Sequence, residues 1–169
     1  MQRINVQFYN ARGDAEGVMN RVVSYFDPPY CHCEVEFQDT LACAIYWGGN
    51  VHMKTRTFNS ANYDCIELKC AQHDYERALL LARAKSADGE SFNLRQMLGS
   101  KIPVLRADTQ GTFCSKLCAE ILVAANLLPP DVRGAEMTPS TLFHRLSDAH
   151  GTSAGEGGVS VALDFVSAA

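Results

Sequence analysis

Cys114 stands at the start of a run, Lys116 to Leu127, in which Leu117, Ala119, Ile121, Leu122 and Ala125 predict an almost wholly apolar helix ended by Pro129-Pro130. The first turn of a helix carries partial positive charge and unpaired backbone N–H groups, which favour a thiolate over a thiol. The same N–H groups can hold the oxyanion formed when sulfur attacks a carbonyl. Gln110 and Thr112, just upstream, are candidate additional donors, and Ser115 and Tyr46 are further candidate cleft residues. Burial competes with this chemistry, because free cysteine is a small hydrophobe and among the most buried residue types. Spacing alone leaves Cys114 open between nucleophile and core. Cys118, one turn later, lacks the free N–H groups and reads as core.

A cysteine nucleophile needs a base that can hold a proton near neutral pH, and the chain has five histidines. His73 and His150 fall in polar or turn-like segments, and His144 lies within a helix. His32 is at the start of a strand, a rigid element suited to fixing a ring against a helix terminus. Strand alternation puts His32, Glu34 and Glu36 on one face and Cys31, Cys33, Val35 and Phe37 on the other. Glu34 is thus the nearest carboxylate, able to accept from the far ring nitrogen as a third triad member does, although a solvated edge gives the same pattern. His52 is the rival orienter. His32, Tyr46 and His52 fall roughly in line across three strands, but two strand spacings are about 9 to 10 Å.

Other chemistries fare less well. Cys31, Cys33, Cys65 and Cys70 could supply four zinc ligands, but the usual two-to-four-residue knuckle spacing is missing. Gly48-Gly49-Asn50 reads as a hairpin turn, not a phosphate loop. A net charge of -4 with scattered lysines and arginines gives no footprint for nucleic acid. No apolar run approaches the roughly 20 residues that span a bilayer. The odd count of seven cysteines, with no leader-like opening after Met1, predicts reduced thiols and an intracellular, cytoplasmic protein without a cofactor or metal.

The elements that must position these residues alternate in period. Ile4 to Tyr9, Cys31 to Phe37, Leu41 to Trp47, Val51 to Phe58 and Tyr63 to Cys70 predict strands, the middle three as an antiparallel meander. Helical spacing predicts helices over Glu16 to Phe26, over about three turns around Tyr75 to Ala84, around Asn93 to Leu98, over the Cys114 segment, and from Thr138-Pro139 to about Leu146. Thr138 is the expected N-cap and Pro139 the first helical residue. Gly99 to Gly111 predicts a loop. One α+β domain over 1–150 and a flexible tail over 151–169 follow.

Tyr30-Cys31-His32-Cys33-Glu34-Val35 and, far downstream, Phe113-Cys114-Ser115-Lys116-Leu117 resemble the circularly permuted branch of the NlpC/P60 papain-like superfamily, in which the His strand precedes the Cys helix. Val51 to Phe58, Phe92-Asn93 and Thr138-Pro139-Ser140-Thr141-Leu142 extend the resemblance over most of Ile4 to Leu146. The resemblance implies a central antiparallel sheet packed against the nucleophile helix, with Cys114 as nucleophile, His32 as base and Glu34 as polar third member. Relatives often carry an acidic residue where this chain has Lys116. Permuted members occur in bacteria, eukaryotes and large DNA viruses, and the superfamily includes peptidases, amidases and lipid acyltransferases. The expected substrate is therefore a peptide, isopeptide or other acyl compound. A catalytically silent binding module, a lipid acyltransferase or thioesterase, and a zinc scaffold are the alternatives.

Overall fold

In a computed structural model, residues 1–10, 28–101 and 110–149 are described. The helix expected over Glu16 to Phe26, most of the Gly99 to Gly111 loop, His150 and the tail lie outside them.

Alternating apolar and polar residues build a five-stranded antiparallel sheet from β1 (Gln2–Asn10), β2 (Tyr30–Glu36), β3 (Leu41–Ala44), β4 (His52–Thr55) and β5 (Tyr63–Cys70), in the order β4-β3-β2-β1-β5. The meander is present, and β1 is an interior strand inserted between β2 and β5, a pairing the strand pattern did not assign it. Four helices follow: α1 (Gln72–Ala87), α2 (Leu94–Lys101), α3 (Cys114–Ala124) and α4 (Pro139–Ala149). The described chain is α+β. Among the described residues no helix is long and apolar enough to cross a membrane.

Residues directly opposed in an antiparallel ladder share a face. Val6 opposes Val35 and Ile66, and Phe8 opposes Cys33; this face is buried with Leu117, Ile121 and Leu122 of α3 and with residues of α1 and α4. Burying each such large aliphatic side chain stabilises the fold by roughly 1.5–3 kcal/mol. On the other face Gln7 opposes Glu34 and Cys65, while Tyr9 opposes His32 and Tyr63. The alternation read for β2 therefore holds from His32 onward. It fails at Cys31. Tyr9 pairs with His32 but Asn10 pairs with Tyr30, so Cys31 is the extra residue of a β-bulge and Tyr30 turns to the core, against Phe8 and Phe143.

β4 ends at Thr55, short of the expected Phe58, and the β3–β4 connection differs from expectation for one reason. β3 stops at Ala44 instead of Trp47, and β4 starts at His52. The connection between them bonds to the segment before α2: the Val51 N–H donates to the Glu90 carbonyl at 2.8 Å and the Phe92 N–H to the Gly49 carbonyl at 2.9 Å. Tyr46 and Trp47 consequently leave the ladder. α1, α2 and α4 run past their expected ends, α1 because polar helix formers such as Gln72 and Lys85 extend it beyond its apolar stripe, whereas α3 stops at Ala124, short of the expected Leu127. At α4 the expected cap is present, with the Thr141 N–H donating to Thr138 Oγ1 at 3.1 Å.

Candidate active site

A set of short hydrogen bonds fixes where α3 begins. The Thr112 N–H donates to the Ser91 carbonyl at 3.0 Å, and the Asn93 N–H to the Thr112 carbonyl at 2.7 Å. The Asn93 side chain donates to the Gln110 carbonyl at 2.6 Å and accepts from the Gln96 N–H at 2.9 Å, so one residue joins the start of α2 to the approach to α3. Gly111 is required there: its φ is +106°, and a Cβ would meet the Ser91 carbonyl oxygen at 2.8 Å. Lys116 closes the turn by donating to the Gly111 carbonyl at 2.9 Å and to Gln96 Oε1 at 3.1 Å.

The helix so placed starts at Cys114, with Phe113 in the N-cap position making no side-chain cap. Its first N–H groups have no acceptor within the helix. The β2–β3 ladder consists of Val35 with Cys43 and Glu36 with Ala42, so the earlier residues of β2 have no β3 partner. The start of α3 takes up that side of the strand. There the Cys114 sulfur receives the Cys33 thiol, the Cys33 backbone N–H and the His32 ring. Cys114 is only 6% exposed.

His32 sits between sulfur and carboxylate. Its Nε2 lies 3.2 Å from Glu34 Oε1, leaving Nδ1 as the nitrogen available to the thiol. The Nε2–H does not point along the line to Glu34, so this contact is chiefly charge on charge. The ring is fixed by stacking on Tyr46, with centroids 4.9 Å apart and planes 26° from parallel. Tyr46 in turn donates to Glu34 Oε1 at 2.9 Å. Glu34 is 0% exposed and also accepts from Arg56 Nη1 at 2.6 Å.

These contacts set the protonation states. Burial by itself would lower the His32 pKa, but its hydrogen bond to Cys114 and its pairing with Glu34 outweigh burial and push it up to about 10. For Cys114 the Cys33 hydrogen bond and then the His32 ring overcome burial and hold the thiol well below its ordinary range. Cys33 moves the opposite way: burial, then its bonds to Cys114 and Cys118, keep it a neutral thiol. Glu34 stays ionised because His32 and Arg56 offset the cost of burying it. Together these shifts favour a thiolate beside an imidazolium beside a carboxylate.

The remaining sequence candidates lie as follows. His52 is on the far side of Tyr46, 5.3 Å from it ring to ring, with its Nδ1 3.1 Å from the Asn50 carbonyl; Glu34, not His52, touches His32. The Ser115 hydroxyl is 0% exposed and donates to the Met137 carbonyl at 2.8 Å, a link between α3 and the chain before α4. The Thr112 N–H and carbonyl are both engaged, which leaves the N–H groups of α3 itself as the donors beside the sulfur. Gln110 lines a groove of about 660 Å³ with Lys85, Gly111 and Lys116, and neither Cys114 nor His32 borders it. Among the thiols considered for zinc, Cys65 opposes Gln7 on the sheet face opposite Cys33, so the four do not converge.

Two contributors were missed from sequence. Cys33 faces the core while His32 does not, so parity separated two residues that meet the same sulfur. Arg56 was findable: with His52 and Lys54 it follows the alternation of the expected Val51 to Phe58 strand, on the face that carries Glu34 and Glu36. Comparison with models of protein families, with curated proteins and with solved structures finds no match to the chain.

Proposed function

We propose that the protein is a thiol hydrolase of permuted papain-like type that cleaves an amide, peptide or ester bond through an acyl-enzyme. The observation that carries this reading is the contact of a helix-start cysteine with a buried histidine that has a buried carboxylate behind it. The resemblance of the His32 and Cys114 segments to the permuted NlpC/P60 branch supports it, as does the order of the elements. Such a constellation is recognised by geometry and roles, whatever the order in the chain.

Each group has one task. The Cys114 thiolate attacks the carbonyl carbon, and the oxyanion forms against the N–H groups that begin α3. The His32 imidazolium gives its proton to the leaving amine or alcohol as the tetrahedral intermediate collapses to a thioester. Neutral His32 then takes a proton from water, which attacks the thioester, and the acid product leaves with Cys114 as thiolate and His32 as imidazolium again. Glu34 stabilises the imidazolium and keeps the ring aimed.

An electrophilic thiol probe tests the assignment. Labelling at pH 6 should fall on Cys114 and vanish in Cys114→Ser, and hydrolysis of a panel of peptide, isopeptide and lipid-ester substrates should vanish with it. Undiminished labelling or turnover in a folded Cys114→Ser protein overturns the proposal.

A further inference from the structure

We propose that Arg56 is a positioning residue of this site, the fourth member of a line running Cys114, His32, Glu34, Arg56, which keeps Glu34 ionised and aimed at the imidazole. That role presupposes the thiol-hydrolase reading above. A carboxylate as buried as Glu34 protonates unless a charge matches it. Arg56 Nη1 matches it from 2.6 Å, the length of a charge-assisted bond. The guanidinium is itself held: Nη1 also donates to Tyr46 Oη, Nη2 donates to Tyr63 Oη at 3.1 Å, and the group lies 4.6 Å from the Phe58 ring centre.

This arrangement lets Arg56 reach His32 by two routes. One is charge, through Glu34. The other is ring orientation, because Tyr46 bonds both Arg56 and Glu34 while its ring stacks on the imidazole. A lysine is a point charge and could not reproduce the fork. An exposed ion pair would carry little weight, but here the carboxylate is fully buried and the arginine side chain only 22% exposed.

The other groups around the pair are Tyr46 after β3, Tyr63 of β5 with Tyr9 of β1 beside it, Cys43 of β3, and, beyond Tyr46, Lys54 at 5.5 Å and His52 at 5.3 Å from its ring centre. Burial pushes Tyr46, Tyr63 and Cys43 upward, the last to about 12. An acid limb in the reactivity of Cys114 therefore reports Cys114 and Glu34, His32 titrating on the alkaline side.

The test is the rate of Cys114 alkylation by iodoacetamide from pH 3 to 9, followed by mass spectrometry of the Cys114 peptide in the full chain. Arg56→Gln should move the acid limb up by about one pH unit, a tenfold loss of rate on its slope, because Glu34 then protonates at higher pH. Arg56→Met, which refills the seat against Phe58, carries the same expectation should the Gln variant not fold. Arg56→Lys should recover part of the shift. In a Glu34→Gln background, adding Arg56→Gln should shift the limb no further. A wild-type limb in a folded Arg56→Gln or Arg56→Met protein overturns the proposal, as does an added shift in the Glu34→Gln background. Failure of the hydrolase reading is recognised separately, by turnover that survives Cys114→Ser.

Discussion

Replacing Cys33 with alanine should make Cys114 a weaker acid while leaving the helix terminus and His32 in place. The Cys33 thiol is the foremost influence lowering the Cys114 pKa, ahead of the imidazole. A hydrogen bond to a charged group contributes about 1.5–3 kcal/mol, and a thiol is a weak donor, so about 1.5 kcal/mol is the fitting figure. At about 1.4 kcal/mol per pH unit, the midpoint of thiolate formation should rise by about one unit. The Cys33 backbone N–H remains as a donor to the sulfur, so the rise stops there. Iodoacetamide alkylation across pH, scored on the Cys114 peptide, reads the midpoint directly. Cys33→Ser keeps a donor and should stay at or below the wild-type midpoint. Cys114, lowered on folding, stabilises the fold above the pKa of an unfolded thiol, and that contribution fades as pH falls through the folded value. Cys33→Ala should therefore also reduce the thermal stability at pH 9 more than at low pH. A folded Cys33→Ala protein whose alkylation midpoint coincides with wild type would contradict this role for Cys33, leaving His32 and the helix terminus as sole support of the thiolate.

Two further outcomes follow. His32, raised on folding to about 10 from 6.5, stabilises the fold fully below pH 6.5 and loses that contribution as pH rises through about 10. Hydrolysis should fall along the same alkaline limb, where the leaving group loses its proton donor, while Cys114 alkylation continues; parallel loss of both would contradict the assignment of His32. Ser115→Ala strands the Met137 carbonyl in the interior and should cost about 1–3 kcal/mol, seen as a lower melting temperature, without altering the Cys114 alkylation profile. A changed profile would instead put the Ser115 hydroxyl in the cleft.

The parts of this molecule legible in its sequence are those written in period. Strand alternation around His32 and Glu34, the apolar run after Cys114 and the Thr138-Pro139 cap each announce an element, and the geometry brings Cys114, His32 and Glu34 together. Long-range placement was not legible. The place of β1 between β2 and β5 depends on which strands pair, and each pairing joins distant segments without a local mark. The early end of β3 depends on bonds to Glu90 and Phe92, some forty residues away. Cys33 was hidden because α3 stands beside β2 where a strand neighbour was expected, so a single sulfur meets residues from both faces.

Cys31 has a consequence that reaches beyond the site. As the extra residue of the bulge, it alters the course of β2 beside His32, while Tyr30 still opposes Asn10 and still packs inward. Removing it would restore an even ladder in which Tyr30 keeps both its partner and its side of the sheet, and only the local twist would change. A single insertion or deletion at this point leaves the hydrophobic pattern of both strands in register. The local course of β2 beside His32 and the hydrophobic pattern of the sheet are thus set by different residues in this chain.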